Sequence, residues 1–252
     1  MKIVLKMTLL VCLCSLFFSS FVYAAERTEF YNGVRPLGMG GAGIAVVNDE
    51  TALLVNPAGL GKLRDYFLTV ADPELSIGAD TQRVIGIDIL MPRDPQAIMD
   101  AIRDGGYLGK RVHESAQMFP SAVFPNFGLG LYANFTANAE VDASDTNFTY
   151  KYRNDTALVF GFNFRLWDGR IKLGFNTRIV NRNEIDRTDI STGSTDLTIE
   201  SLTSEGVGVA SDVGLILTAP WKSLPTLAFV YRDAGNTRYN VQDGLFNNAT
   251  TR

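Results

Sequence analysis

From residue 126 onward the chain alternates. In NFGLGLYANFTANAEV (126–141), Phe127, Leu129, Leu131, Ala133, Phe135, Ala137, Ala139 and Val141 share one parity. Gly128, Gly130, Tyr132, Asn134, Thr136, Asn138 and Glu140 share the other. A period of two over this length predicts a strand, because successive side chains point to opposite sides of a sheet. The pattern returns at 155–166, where Leu158, Phe160, Phe162, Phe164 and Leu166 oppose Asp155, Gly161, Asn163 and Arg165. It returns again at 169–182, where Ile171, Leu173, Phe175 and Ile179 oppose Arg170, Lys172, Asn176 and Arg178. Weaker cases run from Arg83 to Leu90, Gly206 to Thr218 and Pro225 to Tyr231. The expected fold class is all-β and antiparallel.

Soluble sandwiches and membrane barrels both alternate. Two features favour an antiparallel transmembrane β-barrel. One face carries Phe and Leu, as lipid contact requires, and the other mixes Gly, Asn, Arg, Lys and Asp, as a wet lumen would. The connections also sort by length. PNFG (125–128), LWDG (166–169) and APWKSLP (219–225) are short, and Asp168-Gly169 has hairpin chemistry. DASDTN (142–147) and Asn183 to Glu205 are longer and polar. Strict alternation of short and long links is expected of an up-and-down barrel with short periplasmic turns and longer external loops. Trp167 and Trp221, the only tryptophans, sit in short links and would form a periplasmic aromatic girdle.

The N-terminus reads as an export signal. Lys2 and Lys6 precede an uncharged apolar run from Met7 to Val22, and Val22-Tyr23-Ala24 fits a cleavage site, so residues 1–24 are expected to be removed. Cys12 and Cys14 go with the leader, leaving a mature chain without cysteine that must be held by packing or by a membrane. Loss of two lysines and no acid takes the net charge from −4 to −6, which argues against a nucleic-acid partner. The expected organisation is a leader (1–24), a hatch or plug (25–64) and a barrel (65–252).

The stretch LGMGGAGIAVVNDETALLVNPAGL (37–60) spells a dinucleotide fingerprint with Gly38, Gly40 and Gly43. That fingerprint needs a hydrophobic strand leading in and a βαβ unit around it. Here Pro36 stands two residues before Gly38 and no such strand precedes it, although Asp65 lies at a suitable distance downstream. The alternative is a compact plug. Gly38, Gly40, Gly41 and Gly43 permit close backbone approach and positive φ. Asn48 or Asp49 can cap a short helix, with Glu50 in its first turn and Ala52, Leu53 and Val55 as its apolar face, ending at Asn56-Pro57. Gly59 and Gly61 then turn the chain toward a first strand near Tyr66.

RPLGMGGAGIAVVNDETALLVNPAGL resembles the N-terminus of outer-membrane barrels of the long-chain fatty-acid transporter (FadL-type) superfamily. That group includes aromatic-hydrocarbon channels, PorV-type secretion proteins and TraF-like proteins. The run YRNDTALVFGFNFRLWDGRIKLGFNTRIVNR looks most like the TraF-like branch. The resemblance implies that the N-terminal segment folds inside the barrel as a hatch carrying Asn56, Pro57, Ala58 and Gly59, with Gly38 to Gly43 approaching the inner wall. It implies outer-membrane lipid as the surroundings, and either a hydrophobic small-molecule cargo or a structural role docking other envelope proteins. It also implies about fourteen strands where roughly eight candidates are present. The polar ending FNNATTR reads as truncation before closure.

Arg93 to Ser115 reads as a short amphipathic helical insert, with Pro95 early, Ile98 and Ile102 four apart and Gly105-Gly106 ending it. Capping of the lumen, contact with the membrane surface and a plain surface helix are all compatible with it. No catalytic, cofactor or metal site is expected. His113 with Ser115 lacks a supporting motif and reads as a solvated histidine in that insert. Asp186, Asp189, Asp196 and Glu200 lack EF-hand spacing and read as a solvated loop. The Asn-x-Thr triplets at Asn134, Asn147, Asn154 and Asn248 carry no meaning in a bacterial barrel.

Overall fold

The structure, a computed structural model, describes residues 30–31, 33–85, 94–222 and 224–240. The leader, the later part of the Arg83–Leu90 run, the first residue of the predicted insert (Arg93), Asn248 and the FNNATTR end lie outside the described residues. The chain divides into two units, Met1–Asn32 and Gly33–Arg252. All elements below belong to the second.

In chain order these are helix α1 (Val34–Gly38), helix α2 (Ala52–Val55), a 3₁₀ turn (Pro57–Lys62), strands β1 (Phe67–Thr69) and β2 (Glu74–Ile77), and helices α3 (Thr81–Ile85) and α4 (Pro95–Asp104). Strands β3 (Arg111–Met118), β4 (Ser121–Phe124), β5 (Phe127–Val141), β6 (Asn147–Leu166) and β7 (Ile171–Ser191) follow. Helix α5 (Ile199–Leu202), β8 (Ser204–Thr218) and β9 (Thr226–Tyr231) complete the described chain.

All pairings are antiparallel, and β5 to β9 join in chain order. On its other side β5 is flanked by two strands end to end. Its first half pairs with β4, which pairs with β1, and its second half pairs with β3, which pairs with β2. Among the described residues β9 does not pair with β1 or β2.

The predicted faces are observed. Phe127 pairs with Phe162, Leu129 with Phe160 and Leu131 with Leu158, on one face. Burial shows that the long strands β5 and β6 have two regimes. Near the short turns, Phe127, Leu129, Leu131, Phe160, Phe162 and Phe164 are exposed, and the opposite face is buried under α2 and the 3₁₀ turn. Toward the other end the same outward parity becomes a core. Ala137, Ala139, Val141, Phe148, Tyr150, Tyr152 and Ile185 are buried together with Ile98, Met99 and Ile102 of α4.

Helix α4 therefore packs on the face of the sheet opposite α2 and the 3₁₀ turn. Pro95 occupies its start and Gly105 its C-cap, as expected. Arg103 pairs with Asp145 of the β5–β6 link at 2.8 Å, the Gln96 amide donates to the Leu197 carbonyl, and the Ile199 amide donates to Asp94.

Several expectations are corrected. The insert ends at Asp104, and Arg111 to Ser115 belong to β3, where Val112 alternates into the core. His113 is thus a half-buried strand residue whose Nδ1 meets the Asn138 side-chain oxygen at 2.9 Å. Thr81–Ile85 is helical, so the alternation read from Arg83 does not start a strand. Strand β7 reaches Ser191, which places Asp186 and Asp189 in the sheet and shortens the loop to 192–203. Link lengths do not alternate strictly, because 219–225 is longer than 142–146. Asp142 folds the latter link tightly, accepting from the amides of Thr146 and Asn147 and the hydroxyls of Ser144 and Thr146.

Two outcomes follow. Truncation Ile102→Ala is expected to cost about 2–5 kcal/mol, read as faster amide exchange in α4 and in β3 while β8 is unchanged; uniform loss across the sheet contradicts the local core. Second, the Asp142 carboxyl is held below its ordinary range, chiefly by the Thr146 hydroxyl and then by the Asn147 and Thr146 amides. A depressed carboxyl contributes stability above its unfolded pKa, near 4, and loses that contribution as pH falls below it. Exchange protection at Thr146 and Asn147, corrected for intrinsic rate, should therefore fall below about pH 4 in the native chain and be pH-insensitive in Asp142→Ala.

Candidate functional site

The motif Asn56-Pro57-Ala58-Gly59 lies in the middle of a buried run, 52–61, of the segment expected to form a hatch, and Asn56 and Ala58 are fully enclosed. Helix α2 carries Leu53 and Leu54 inward and ends at Asn56, which is extended because Pro57 disfavours helix there. Asn56 then restarts the chain. Its side-chain oxygen accepts from the Ala58 amide at 3.0 Å, capping the 3₁₀ turn, with Pro57 at the first helical position. Its side-chain nitrogen donates to the Ile44 carbonyl at 2.8 Å, tying the glycine-rich run to the motif. The N-cap of α2 is Thr51, without a side-chain capping bond, so neither Asn48 nor Asp49 caps the helix and Glu50 precedes its first turn; Asp49 instead accepts from the Thr51 amide and pairs with Arg35 at 2.5 Å.

The seat for this motif is a row of wall glycines. Gly128, Gly161, Gly174 and Gly214 lie on β5, β6, β7 and β8 respectively, and Gly128 pairs with Gly161 and Gly174 with Gly214. A Cβ at Gly128 would stand 2.9 Å from Leu53, and one at Gly161 2.5 Å from it. At Gly174 it would overlap the backbone of Pro57 and Ala58, and at Gly214 the Asn56 side-chain oxygen. At Gly174 and Gly214 only glycine lets the backbone of 56–58 rest on the strands, whereas Gly128 and Gly161 make room for the Leu53 side chain.

Four hatch carbonyls are captured by the wall. Asn176 donates to Leu53 O at 2.6 Å, Asn163 to Ala58 O at 3.4 Å, the Asn126 amide to Leu60 O at 3.1 Å, and Arg165 to Leu63 O at 3.0 Å. Asn176 is fixed in turn. It donates to Asp212 and accepts from the Asp212 amide, while Arg178 forms a two-pronged ion pair with Asp212 at 2.7 and 3.1 Å. Both charged side chains are almost wholly buried. Breaking such a pair by removing one partner typically costs about 3–5 kcal/mol. Lys62 at the end of the 3₁₀ turn donates to the Ala45 and Val47 carbonyls, and burial, then Lys172 and Arg35, lowers its pKa.

The glycine-rich run behaves differently from its expectation. At Gly38, Gly40 and Gly41 a Cβ would meet nothing within 4 Å, and Gly43 makes only ordinary contacts with Pro36 and Val55. These residues do not approach the inner wall. Gly40 and Gly41 instead supply positive φ, at 61° and 79°, for a turn that projects away from it. A cleft beside this turn, lined by Arg35, Pro36, Gly43 and Val55 among others, encloses about 10 Å³, room for a single water. The face assigned to a wet lumen is buried at the height of residues 53–60. Gly128, Gly161, Asn163 and Asn176 receive that segment there, with Arg178 behind them on Asp212. Interior strand glycines on one parity were the available signal, since they mark close backbone approach.

Trp167 and Trp221 lie in the β6–β7 and β8–β9 links, 77% and 68% exposed. Comparison with protein-family models, curated proteins and solved structures finds no match to this chain.

Substitution Gly174→Ala is expected to loosen the hatch by about 1–3 kcal/mol, seen as faster amide exchange at Ala58, Gly59 and Leu63 with β5–β6 protection retained. Gly38→Ala, in open space, should leave the same amides unchanged. Equal effects of the two would contradict the seat.

Proposed function

We propose that this chain is the wall and hatch of an outer-membrane β-barrel that handles a hydrophobic small molecule. The observation that carries the reading is the outward run of β6 and its turn. From Leu158 to Trp167 the outward side chains are Leu158, Phe160, Phe162, Phe164 and Leu166, and all but Leu158 are exposed. Ten residues match the roughly 9–11 that a tilted strand needs to cross a bilayer. The apolar surface continues sideways through Phe127, Leu129 and Leu131 and through Leu227, Phe229 and Tyr231 of β9. A contiguous surface of this kind in water is an aggregation liability; against lipid it is satisfied. Exposed tryptophans bordering it fit an interfacial girdle.

The export signal and the resemblance of 35–60 to FadL-type hatches support the compartment and the cargo class. A second reading is a structural role in which the barrel docks other envelope proteins. It is favoured by the hatch being seated through its backbone, with the cleft beside it only water-sized.

The test is a deletion strain assayed for growth and uptake on fatty acids and hydrocarbons. Impaired uptake, restored by the full chain, is expected. Unchanged uptake of all of them, together with a stable envelope complex recovered on the tagged chain, would replace transport by docking. Extraction of the chain from membranes by carbonate, without detergent, would remove the barrel itself.

A further inference from the structure

Strands β6 and β7 hold 20 and 21 residues, about twice what a bilayer crossing uses. The second half of each differs from the first on both faces. On the outward face the apolar run gives way to Thr156, Asn154, Asn181 and Asn183, and Asn181 donates to Glu205 at 3.0 Å. Beyond this polar band the outward face is apolar again but sealed by α4. A helix clamp is what an apolar sheet face needs when lipid no longer covers it.

The inward face above the hatch is polar on β3, β5, β6 and β7, while β8 presents Gly206 and Gly208 beneath residues 237–240, with Tyr239 lying over Arg182 at 4.5 Å. Its centre is a ladder of three cross-strand ion pairs between β6 and β7. Lys151 meets Asp186 at 3.1 Å, Arg153 meets Glu184 at 3.0 Å, and Asp155 meets Arg182 at 2.7 Å. Beside it β5 presents Asn134, Thr136 and Asn138, all half-exposed. The Arg153 Nε is buried with no hydrogen-bond partner.

We propose that this half of the sheet projects from the membrane as the wall of a hydrated vestibule that takes a hydrophilic solute, one rich in hydroxyls or bearing both charges. The inference rests on the barrel part of the proposed function and not on its cargo. On β6 the ladder carries two cations, Lys151 and Arg153, and then the anion Asp155, with the opposite charges on β7, so the wall holds both signs and offers hydrogen bonds between them. A hydrocarbon gains nothing against such a surface, because it would displace water from charged groups without replacing their hydrogen bonds. Any route for a hydrophobic molecule therefore avoids this wall.

The mature chain lacks cysteine, which makes the test direct. Single variants Thr136→Cys and Asn138→Cys (vestibule), Ala139→Cys (under α4) and Leu131→Cys (outward run) are placed in phosphatidylcholine liposomes. Heat-modifiable gel migration reads barrel folding separately, so its failure is distinguishable from failure of the inference. Charged, water-soluble thiol reagents of either sign should label Thr136→Cys or Asn138→Cys at least about tenfold faster than Ala139→Cys and Leu131→Cys. A disaccharide or glycine betaine should slow vestibule labelling, and laurate should not. Labelling that is absent in the vestibule, slowed by laurate, or slowed by neither the sugar nor the betaine overturns the proposal.

Discussion

The structure depends on a backbone-on-backbone contact. Asn56-Pro57-Ala58 rests on Gly174 and Gly214 so closely that a single methyl at either wall position would occupy the hatch's own atoms. Such an approach leaves carbonyls facing carbonyls unless donors reach across. Asn176, Asn163, Arg165 and the Asn126 amide are those donors. The buried Arg178–Asp212 pair then has a clear local role, since it holds the Asn176 amide in the orientation that receives Leu53 O. An unpaired charge there would be costly, so the network acts as a unit.

With the hatch filling the inward face at one end, only the outward face at that end is left for the surroundings, and it is apolar. At the other end the arrangement inverts. The inward face is charged, with the Lys151–Asp186 and Arg153–Glu184 pairs in reach of solvent and Asp155 buried against Arg182, and the outward face has its own core under α4. One uninterrupted alternation thus serves two environments, because what covers each face changes along the strand while the parity does not. The clamp is tied to both links at that end, through Arg103 to Asp145 and through Gln96 to Leu197.

Much of the sheet was legible because parity is a local property. The run read at 126–141 is β5 within one residue, and the faces assigned to Phe127 and Gly128 are the observed ones. Parity does not tell which stretch of a face meets lipid, hatch or helix. Leu129 and Ala139 share a face, yet one is exposed and the other buried. The hatch motif was legible as a unit, but its work was misplaced. Gly38 to Gly43 make a turn in open space, and the close approach belongs to wall glycines about 70–160 residues away, a pairing that only the fold creates. The predicted insert overran into β3 because a five-residue run such as Arg111 to Ser115 is too short for periodicity to decide, whereas Gly105 and Gly106 marked the true end.

The central claim is that the outward run between Leu158 and Trp167 touches lipid, with Trp167 and Trp221 at its border. Fluorescence quenching by phospholipids brominated at known depths tests it most directly. Reconstituted full-length chain should show blue-shifted tryptophan emission, quenched more by bromines near the headgroups than by bromines at mid-chain. Emission characteristic of water and insensitive to bromines at every depth would contradict the account.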